Sequence, residues 1–421
     1  MLRLLVIPGC IFVAGIGNDK RHPANALVEP REFRIHRAGA ICLPAAAGRL
    51  GGRVKAMTAV LRFLVLGLLV IQLSACTPRG KLSYAPMIEA ASVSTIFIAT
   101  TRNKGLPSEG YSGRRSPGVQ YGRYSVSVPP DHKPGNIEWP NRKVDPSRDF
   151  VTVDVTEFSN AAQFRADVNK ATASLNNPRH EAVVFVHGYN NNFAEGLYRI
   201  TQLTHDLNVD AVKILYSWPS AGKAGGYVYD RDSAMFSRDG LQKLLENLAK
   251  TNIRKVYLVA HSMGAQLSME TLRQMYIEGS PSIRAKLGGV ILMSPDIDLD
   301  VFKTQLNRIK PIPKPFVIFS SRRDYALRLS GLLTGDRQRL GNLSNVTELA
   351  EFKILVVDIS DFQDGQDRLN HSNYATSPTI LRLMRSLPEL DRRLTPNNLN
   401  IPGQIEFDQN AAWVVPDIRT D

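Results

Sequence analysis

The sequence predicts an α/β fold: a mostly parallel central sheet with helices on both faces. Three observations carry that prediction. Short β-rich runs recur along the chain, among them EAVVFV, VKILYSW, KVYLVA, LGGVILM and PFVIFS. Amphipathic helical stretches separate these runs, which is the pattern of a doubly covered parallel sheet. Composition leaves room for a large core: of 421 residues, 43 % are apolar and 22 % charged, which excludes a disordered or fibrous chain. The three cysteines, Cys10, Cys42 and Cys76, all lie near the N-terminus. The body of the protein therefore has no disulfide scaffold, thiol nucleophile or Cys-ligated metal site.

The N-terminal region reads as processing rather than fold. Residues 57–76 (MTAVLRFLVLGLLVIQLSAC) carry Arg62, the apolar run Phe63–Ile71, and then Leu73, Ser74, Ala75 and Cys76. The run is shorter than the about 20 apolar residues of a membrane-spanning helix, and it has the size of a secretory h-region. LSAC resembles the lipobox of a bacterial lipoprotein signal, with Cys76 as the lipid attachment site. A plain signal peptide, an uncleaved anchor and a buried segment are the alternatives.

On the lipoprotein reading, residues 1–56 are an over-extended N-terminus, and a real membrane-proximal segment is the alternative. Residues 57–75 are the signal peptide, 76–92 a tether, 93–395 the α/β domain and 396–421 a C-terminal surface extension. The expected location is the bacterial cell envelope, anchored through lipidated Cys76 and facing the periplasm or the exterior. Residues 1–75 hold 10 Lys/Arg and 3 Asp/Glu, so setting them aside lowers the formal charge from +13 to +6. That residue of charge attracts an anionic membrane only weakly. No zinc-finger spacing, RNP-like motif or dense basic stripe points to nucleic acid.

Taken in order, Val93–Thr100 (VSTIFIAT) is the first expected strand. Residues 102–122, rich in Gly, Ser and Arg, read as a loop. Tyr124–Val128 alternates as a strand and stops at Pro129-Pro130. Residues 129–148 read as irregular surface, and Phe150–Val155 as a short strand. Ala161, Phe164, Val168 and Ala171 mark one helical face. Glu181–Val186 is a nearly continuous apolar strand. Asn192 and Glu195 have capping-box spacing, opening a helix that buries Phe193, Leu197, Ile200, Thr204 and Leu207. Val212–Trp218 is a strand. A helix of about 18 residues after Asp232 is striped by Leu241, Leu244, Leu245 and Leu248. Lys255–Ala260, Leu287–Met293, Pro315–Ser320 and Phe352–Val357 are further strands. Helices are expected over 263–276 and near Pro378–Leu387, and a small strand near Ala411–Val415.

The strongest chemical signal is VYLVAHSMGAQ, Val256–Gln266. A strand ends at Ala260, Ser262 stands at the turn, and a helix starts at Met263. This resembles the nucleophile elbow of the α/β-hydrolase fold, with Ala260 replacing the usual first glycine and Gly264 in the last position. Small residues are needed because the sharp turn brings backbones together. The elbow exposes the serine hydroxyl and aims a helix N-terminus at developing negative charge. A plain N-cap role for Ser262 is the simpler alternative.

VVFVHGYNN, Val183–Asn191, resembles the His-Gly oxyanion loop of the same fold. The amides of Tyr189 and Met263 are the expected oxyanion donors, with Asn190 an alternative to Tyr189. His187 is read as a structural brace. The resemblance places the remaining members later, in the order Ser, acid, His. Counting Glu181–Val186 as the third strand of that fold, Asp324 follows the seventh, Pro315–Ser320, and Asp296, after the sixth, Leu287–Met293, is the alternative acid. Asp298, Asp361, Asp364 and Asp367 are lesser candidates, most of them read as solvated loop charges. His371 is the expected base, being the only histidine after His261. Tyr189 and Trp218 are possible substrate contacts. Asp230, Arg231 and Asp232 read as capping and ion-pair residues of the following helix.

Together, HGYNN, YSWPSAG, DRDSA, AHSMG, SPDID, SRRDYALRLS and HSNY resemble a largely uncharacterised family of bacterial α/β-hydrolases, many with lipoprotein-type N-termini. The likeness runs from about Val93 to Leu387. It implies a serine hydrolase of carboxylic esters, acting through Ser262, Asp324 and His371 and an acyl-enzyme, with no metal or organic cofactor required. The implied partners are a small-molecule or lipid ester and a membrane. An amidase, thioesterase or lipase on the same scaffold is the near alternative. A catalytically silent envelope lipoprotein that binds a partner is the distant one.

Overall fold

A computed structural model of the chain describes residues 79–335, 338–352, 354–362 and 364–393. The signal-like segment, Cys76, the 396–421 extension and the strand expected near Ala411–Val415 lie outside the described residues. The strands are β1 Ser92–Lys104, β2 Tyr111–Val128, β3 Val151–Phe158, β4 Glu181–Val186, β5 Val212–Ser217, β6 Lys255–His261, β7 Leu287–Met293, β8 Phe316–Ser320 and β9 Leu355–Asp358. The helices are α1 Ala161–Ala173, α2 Phe193–Asp206, α3 Tyr227–Phe236, α4 Arg238–Ala249, α5 Met263–Glu278, α6 Pro281–Lys286, α7 Leu299–Arg308, α8 Tyr325–Leu333, α9 Asn373–Thr376 and α10 Pro378–Arg393.

The nine strands form one sheet in the order β3-β2-β1-β5-β4-β6-β7-β8-β9. Only β2 runs against the others, so the sheet is mixed but mostly parallel. Alternation along each strand feeds two cores, because successive side chains point to opposite faces. Phe97, Ala182, Val184 and Val186 join one core with Phe164, Leu241 and Leu244. Ile96, Ile98 and Phe185 join the other with Leu197, Ile200 and Ile380. The order reverses at β4: the chain goes to β5 on one side and then to β6 on the other. Open α/β sheets place their sites at the carboxyl ends beside such a switch point. Both the His187 loop and Ser262 follow strands that meet there.

The capping box at α2 forms as expected: Asn192 Oδ1 accepts from the Glu195 amide at 2.9 Å, and Glu195 accepts from the Asn192 amide at 3.0 Å. Four expectations need correction. Residues 102–122 are not a loop, since β1 continues to Lys104 and β2 begins at Tyr111. This ribbon carries shifts of register around Arg102, and such bulges break the clean alternation that marks a strand. The single helix expected after Asp232 is two, α3 and α4, meeting at Ser237. Tyr216 Oη donates to the Ser237 carbonyl at 2.6 Å. A Cβ on Gly240 would lie 2.4 Å from Tyr216 Oη. The last strand is Leu355–Asp358, and Phe352 instead closes a 3-10 turn. The described part of the expected tether is packed: Leu82 is buried, and Ser83 accepts from the Thr152 amide at 2.7 Å.

Candidate active site

Ser262 is placed by backbone. It sits between β6 and α5 with φ 52° and ψ −123°. That conformation is rare for a side-chain-bearing residue and costs on the order of 1–3 kcal/mol. Three backbone bonds hold it. The Ser262 amide donates to Met293 O at 3.0 Å, and Ser262 O accepts from the amides of Ala265 at 3.0 Å and Asp296 at 3.2 Å. The glycine of the elbow is sterically required, since a Cβ on Gly264 would lie 2.3 Å from His187 O and 2.7 Å from Val186 O. Ala260 at the other small position is fully buried in the core, so its methyl is accommodated. Among the described residues the Ser262 hydroxyl makes no hydrogen bond, and it is not one of the sealed, unpaired polar atoms.

The loop after β4 rides over this turn. A Cβ on Gly188 would meet His261 Nδ1 at 2.5 Å and Ser262 Cβ at 3.0 Å. Asn190 has φ 57°, and its amide donates to Asp230 Oδ2 at 3.1 Å. Asn190 is therefore committed elsewhere, while among the described residues the amides of Tyr189 and Met263 meet no acceptor. His187 is fully buried, stacked on Trp218 with ring centroids 5.0 Å apart. Burial, helped by the neighbouring Arg102 charge, lowers its pKa to about 3, so the ring is neutral. With Nδ1–H assigned as donor to Gly188 O at 2.9 Å, Nε2 accepts from Arg102 at 3.3 Å. His187 braces the loop.

Asp324 and His371 meet across 47 residues of chain. Asp324, fully buried after β8, accepts the Leu327 amide on Oδ1 at 2.9 Å and so caps α8. Its Oδ2 lies 2.7 Å from His371 Nδ1. One carboxylate therefore fixes both a helix start and a histidine tautomer, leaving His371 Nε2 free to exchange a proton. The His371 loop is shaped by Asp367, whose Oδ2 accepts the amides of His371 at 2.9 Å and Ser372 at 2.7 Å. His261 Nε2–H donates to the His371 carbonyl at 3.3 Å, and the two rings lie 4.7 Å apart. The residue beside Ser262 thus touches the residue that Asp324 orients.

Electrostatics divide the two rings. Burial drives the His261 pKa well below 6.5, and the His371 charge pushes the same way. Burial also lowers that of His371, but the charge and hydrogen bond of Asp324, with Asp296 and Asp367, outweigh it and the net shift is upward. The arrangement suits a histidine that accepts a proton and stabilises it against a carboxylate.

Residues 158–387 match the family described as "Alpha/beta hydrolase of unknown function (DUF900)", which is more than half of the chain. The chain belongs to this family. No curated protein matches the sequence. Among solved structures, it is similar to a CIB-like hydrolase from Thermoplasma acidophilum, at 13 % identity over 52 % of this chain and 89 % of that one, with a TM-score of 0.30. An esterase from Pyrobaculum calidifontis gives 15 % identity over 54 % and 94 %, with a TM-score of 0.27. Esterase B from Lactobacillus rhamnosis gives 11 % over 80 % and 96 %, with a TM-score of 0.36.

Within this family member, the expected site residues separate into those that converge and those that do not. Asp324 and His371 are bonded, and Ser262 lies next to the histidine that touches His371. Asp296 is held elsewhere. Its oxygens accept from Tyr227 Oη at 2.9 Å and Ser330 Oγ at 2.7 Å, and Arg339 lies 3.4 Å away. The alternative acid is thus a brace between α3 and α8. Trp218 is not a substrate contact: it has no exposed surface, and its Nε1–H donates to His187 O at 2.7 Å. Tyr189 is half-buried, with its ring against Tyr227 and its hydroxyl on the carbonyl of Ala224.

Two of the loop acids read as solvated charges shape the base loop instead: Asp367, as above, and Asp364, which accepts the Thr379 amide at 3.0 Å. Asp298 caps α7. Asp230 does not cap its helix but accepts the Asn190 amide in the loop after β4. The sequence reading also missed His261 as a bridge and Arg102 as a buried cation. The one trace of the latter was an arginine next to a β-rich run.

Proposed function

We propose that this protein is a serine hydrolase of carboxylic esters. The observation that carries the reading is the 2.7 Å bond from Asp324 to His371, whose carbonyl is bonded by His261, the residue before a serine held at φ 52°. His371 takes the Ser262 proton as the hydroxyl oxygen attacks the ester carbonyl. The carbonyl oxygen gains the negative charge and faces the amides of Tyr189 and Met263. Asp324 holds the imidazolium. Collapse expels the alcohol, which takes the proton from His371 and leaves an acyl group on Ser262. Water, deprotonated by His371, then repeats the cycle and releases the acid. Exposed Tyr325, Leu329, Leu332 and Leu333 on α8, the helix that Asp324 caps, support a substrate with an apolar part.

The test is hydrolysis of p-nitrophenyl acyl esters by the full chain, compared with amide and thioester analogues. Ester turnover that vanishes in Ser262→Ala supports the reading. Turnover of thioesters or amides alone moves it to the near alternative on the same scaffold. No turnover of any of them, from a folded protein, favours a silent binding lipoprotein.

We also propose placement at a bacterial envelope membrane through lipidated Cys76, supported by the LSAC sequence after an apolar run. Metabolic palmitate labelling that is lost in Cys76→Ser is the expected result. Equal labelling of the variant contradicts it.

A further inference from the structure

We propose that Asp230 is a positioning residue for the oxyanion loop, acting together with Arg102. This rests on the reading of Ser262 as the nucleophile. The loop 187–191 has to present one amide, that of Tyr189, while its neighbours stay fixed. Asp230 and Arg102 hold those neighbours from opposite sides. Asp230 is fully buried, and its Oδ2 accepts the Asn190 amide at 3.1 Å and the Ser220 hydroxyl at 2.6 Å. Its Oδ1 accepts the Ala221 amide at 2.7 Å. Ser220 Oγ in turn accepts the Asn191 amide at 3.2 Å. Two consecutive N–H groups of the loop therefore end on one carboxylate, the second through a hydroxyl.

The carbonyl side is held by a cation. Arg102 is also fully buried, and its Nη2 donates to Asn191 O at 2.8 Å. Nη1 donates to Ser220 O at 3.1 Å, and Nε to Ser217 Oγ at 2.8 Å. Nη2 also reaches Nε2 of His187, the first residue of the loop, at 3.3 Å. The Asn190 and Asn191 peptides are thus oriented by a buried acid on α3 and a buried base on β1.

Neither charge is arranged for stability alone. Burying a carboxylate and a guanidinium costs several kcal/mol each, and well-packed apolar residues hold a loop as well or better. Among the described residues the two form no direct ion pair; each is spent on the peptides between them. What they fix is direction. With the Asn190 amide turned to Asp230 at φ 57°, the preceding amide is the one left unpaired above Ser262. Releasing Asp230 leaves the part-buried Asn190 N–H without its partner, and the loop relaxes by turning that peptide. A donor displaced by about 1 Å loses on the order of 100-fold in rate.

The experiment uses the full chain with Asp230→Asn, Asp230→Ala and Ser220→Ala. Three quantities are read: kcat and KM for a short p-nitrophenyl ester, the Ki of an alkyl boronic acid, and Tm. The boronate forms a tetrahedral adduct on the serine and needs the same oxyanion donors. The expected result is a fall in kcat of about 10- to 100-fold in Asp230→Asn, with KM within about threefold and Ki rising in step with the loss in kcat/KM. Ser220→Ala, which keeps the direct Asn190 bond, falls less. A merely structural role lowers Tm and leaves Ki unchanged. If Asp230→Ala does not fold, Asp230→Asn and Ser220→Ala decide. A folded Asp230→Asn that matches an active parent in kcat and Ki overturns the positioning role alone. A parent that neither turns over esters nor binds the boronate overturns the hydrolase reading and this role with it.

Discussion

Ser262 and His371, joined through His261, which bonds the His371 carbonyl, are held by different means. Around Ser262 the restraints are backbone: a positive φ, three main-chain hydrogen bonds, and glycines at 188 and 264 that allow chains to touch. Around His371 they are side chains: Asp324 on the ring, Asp367 on the amide and His261 on the carbonyl. Atoms added at Gly188 or Gly264 are expected to disturb the first set of restraints, and loss of a charge the second. Substitutions that remove a charge and substitutions that add a methyl group therefore separate the two.

The largest effect expected after loss of Ser262 itself is from Asp324→Asn. The amide still caps α8, so Tm stays within a few degrees, but the tautomer of His371 is no longer fixed. Ester turnover falls by roughly 10⁴-fold in kcat. A Tm loss that accounts for the drop would mean that Asp324 is only a cap.

Gly264→Ala comes next. Its methyl group meets His187 O at 2.3 Å, so the Ser262 turn and the loop after β4 must part. The expected outcome is a stability loss of about 1–3 kcal/mol by denaturant titration together with a loss of most activity. Full activity in this variant would show that the two loops are not in register during catalysis.

The pH dependence sharpens the comparison, because only the side-chain half titrates near neutrality. The proposed mechanism needs neutral His371, and its pKa is raised above 6.5. The acid limb of kcat/KM therefore lies above 6.5, and removing the carboxylate in Asp324→Asn moves the residual limb down. The stability linkage has the opposite sense. A folded pKa above the unfolded one gives stability that is full below about 6.5 and lost as pH rises through the folded value. The increment seen in Tm against pH thus declines where activity climbs, and it is smaller in Asp324→Asn. An acid limb that does not respond to Asp324→Asn contradicts the pairing.

The smallest effect on activity is expected from Trp218→Phe. The change removes a buried hydrogen bond to His187 O and costs about 1–3 kcal/mol, with KM unchanged. A selective rise in KM would return Trp218 to the substrate pocket.

The same division explains what the sequence made legible. A backbone-defined feature leaves a local trace: Ser262 and Gly264 stand within three residues at the end of β6, and His187-Gly188 directly follows β4. The parallel strands were equally plain, since β4 to β8 are short and almost wholly buried. Asp324 and His371 could be placed by their order after the strands, but the bond between them spans 47 residues and has no local signature. The same holds for Asp367, whose two amide contacts look in sequence like one more loop acid.

The β1–β2 ribbon was misread because its bulges and its Gly, Ser and Arg content imitate a loop, whereas pairing with β1 and β3 makes it a strand. The break between α3 and α4 depends on Tyr216, an element away. Asp230 lies on the helix it was expected to cap, yet its partners lie in two other loops.

The measurement that tests the central claim most directly is covalent labelling of the full chain by a fluorophosphonate, read by intact mass beside Ser262→Ala and His371→Ala. An activated Ser262 displaces fluoride from phosphorus and gains one phosphonyl adduct. One adduct on the parent, none on Ser262→Ala and little on His371→Ala is the predicted result. A folded parent that takes no adduct, or an adduct that persists in Ser262→Ala, contradicts the account.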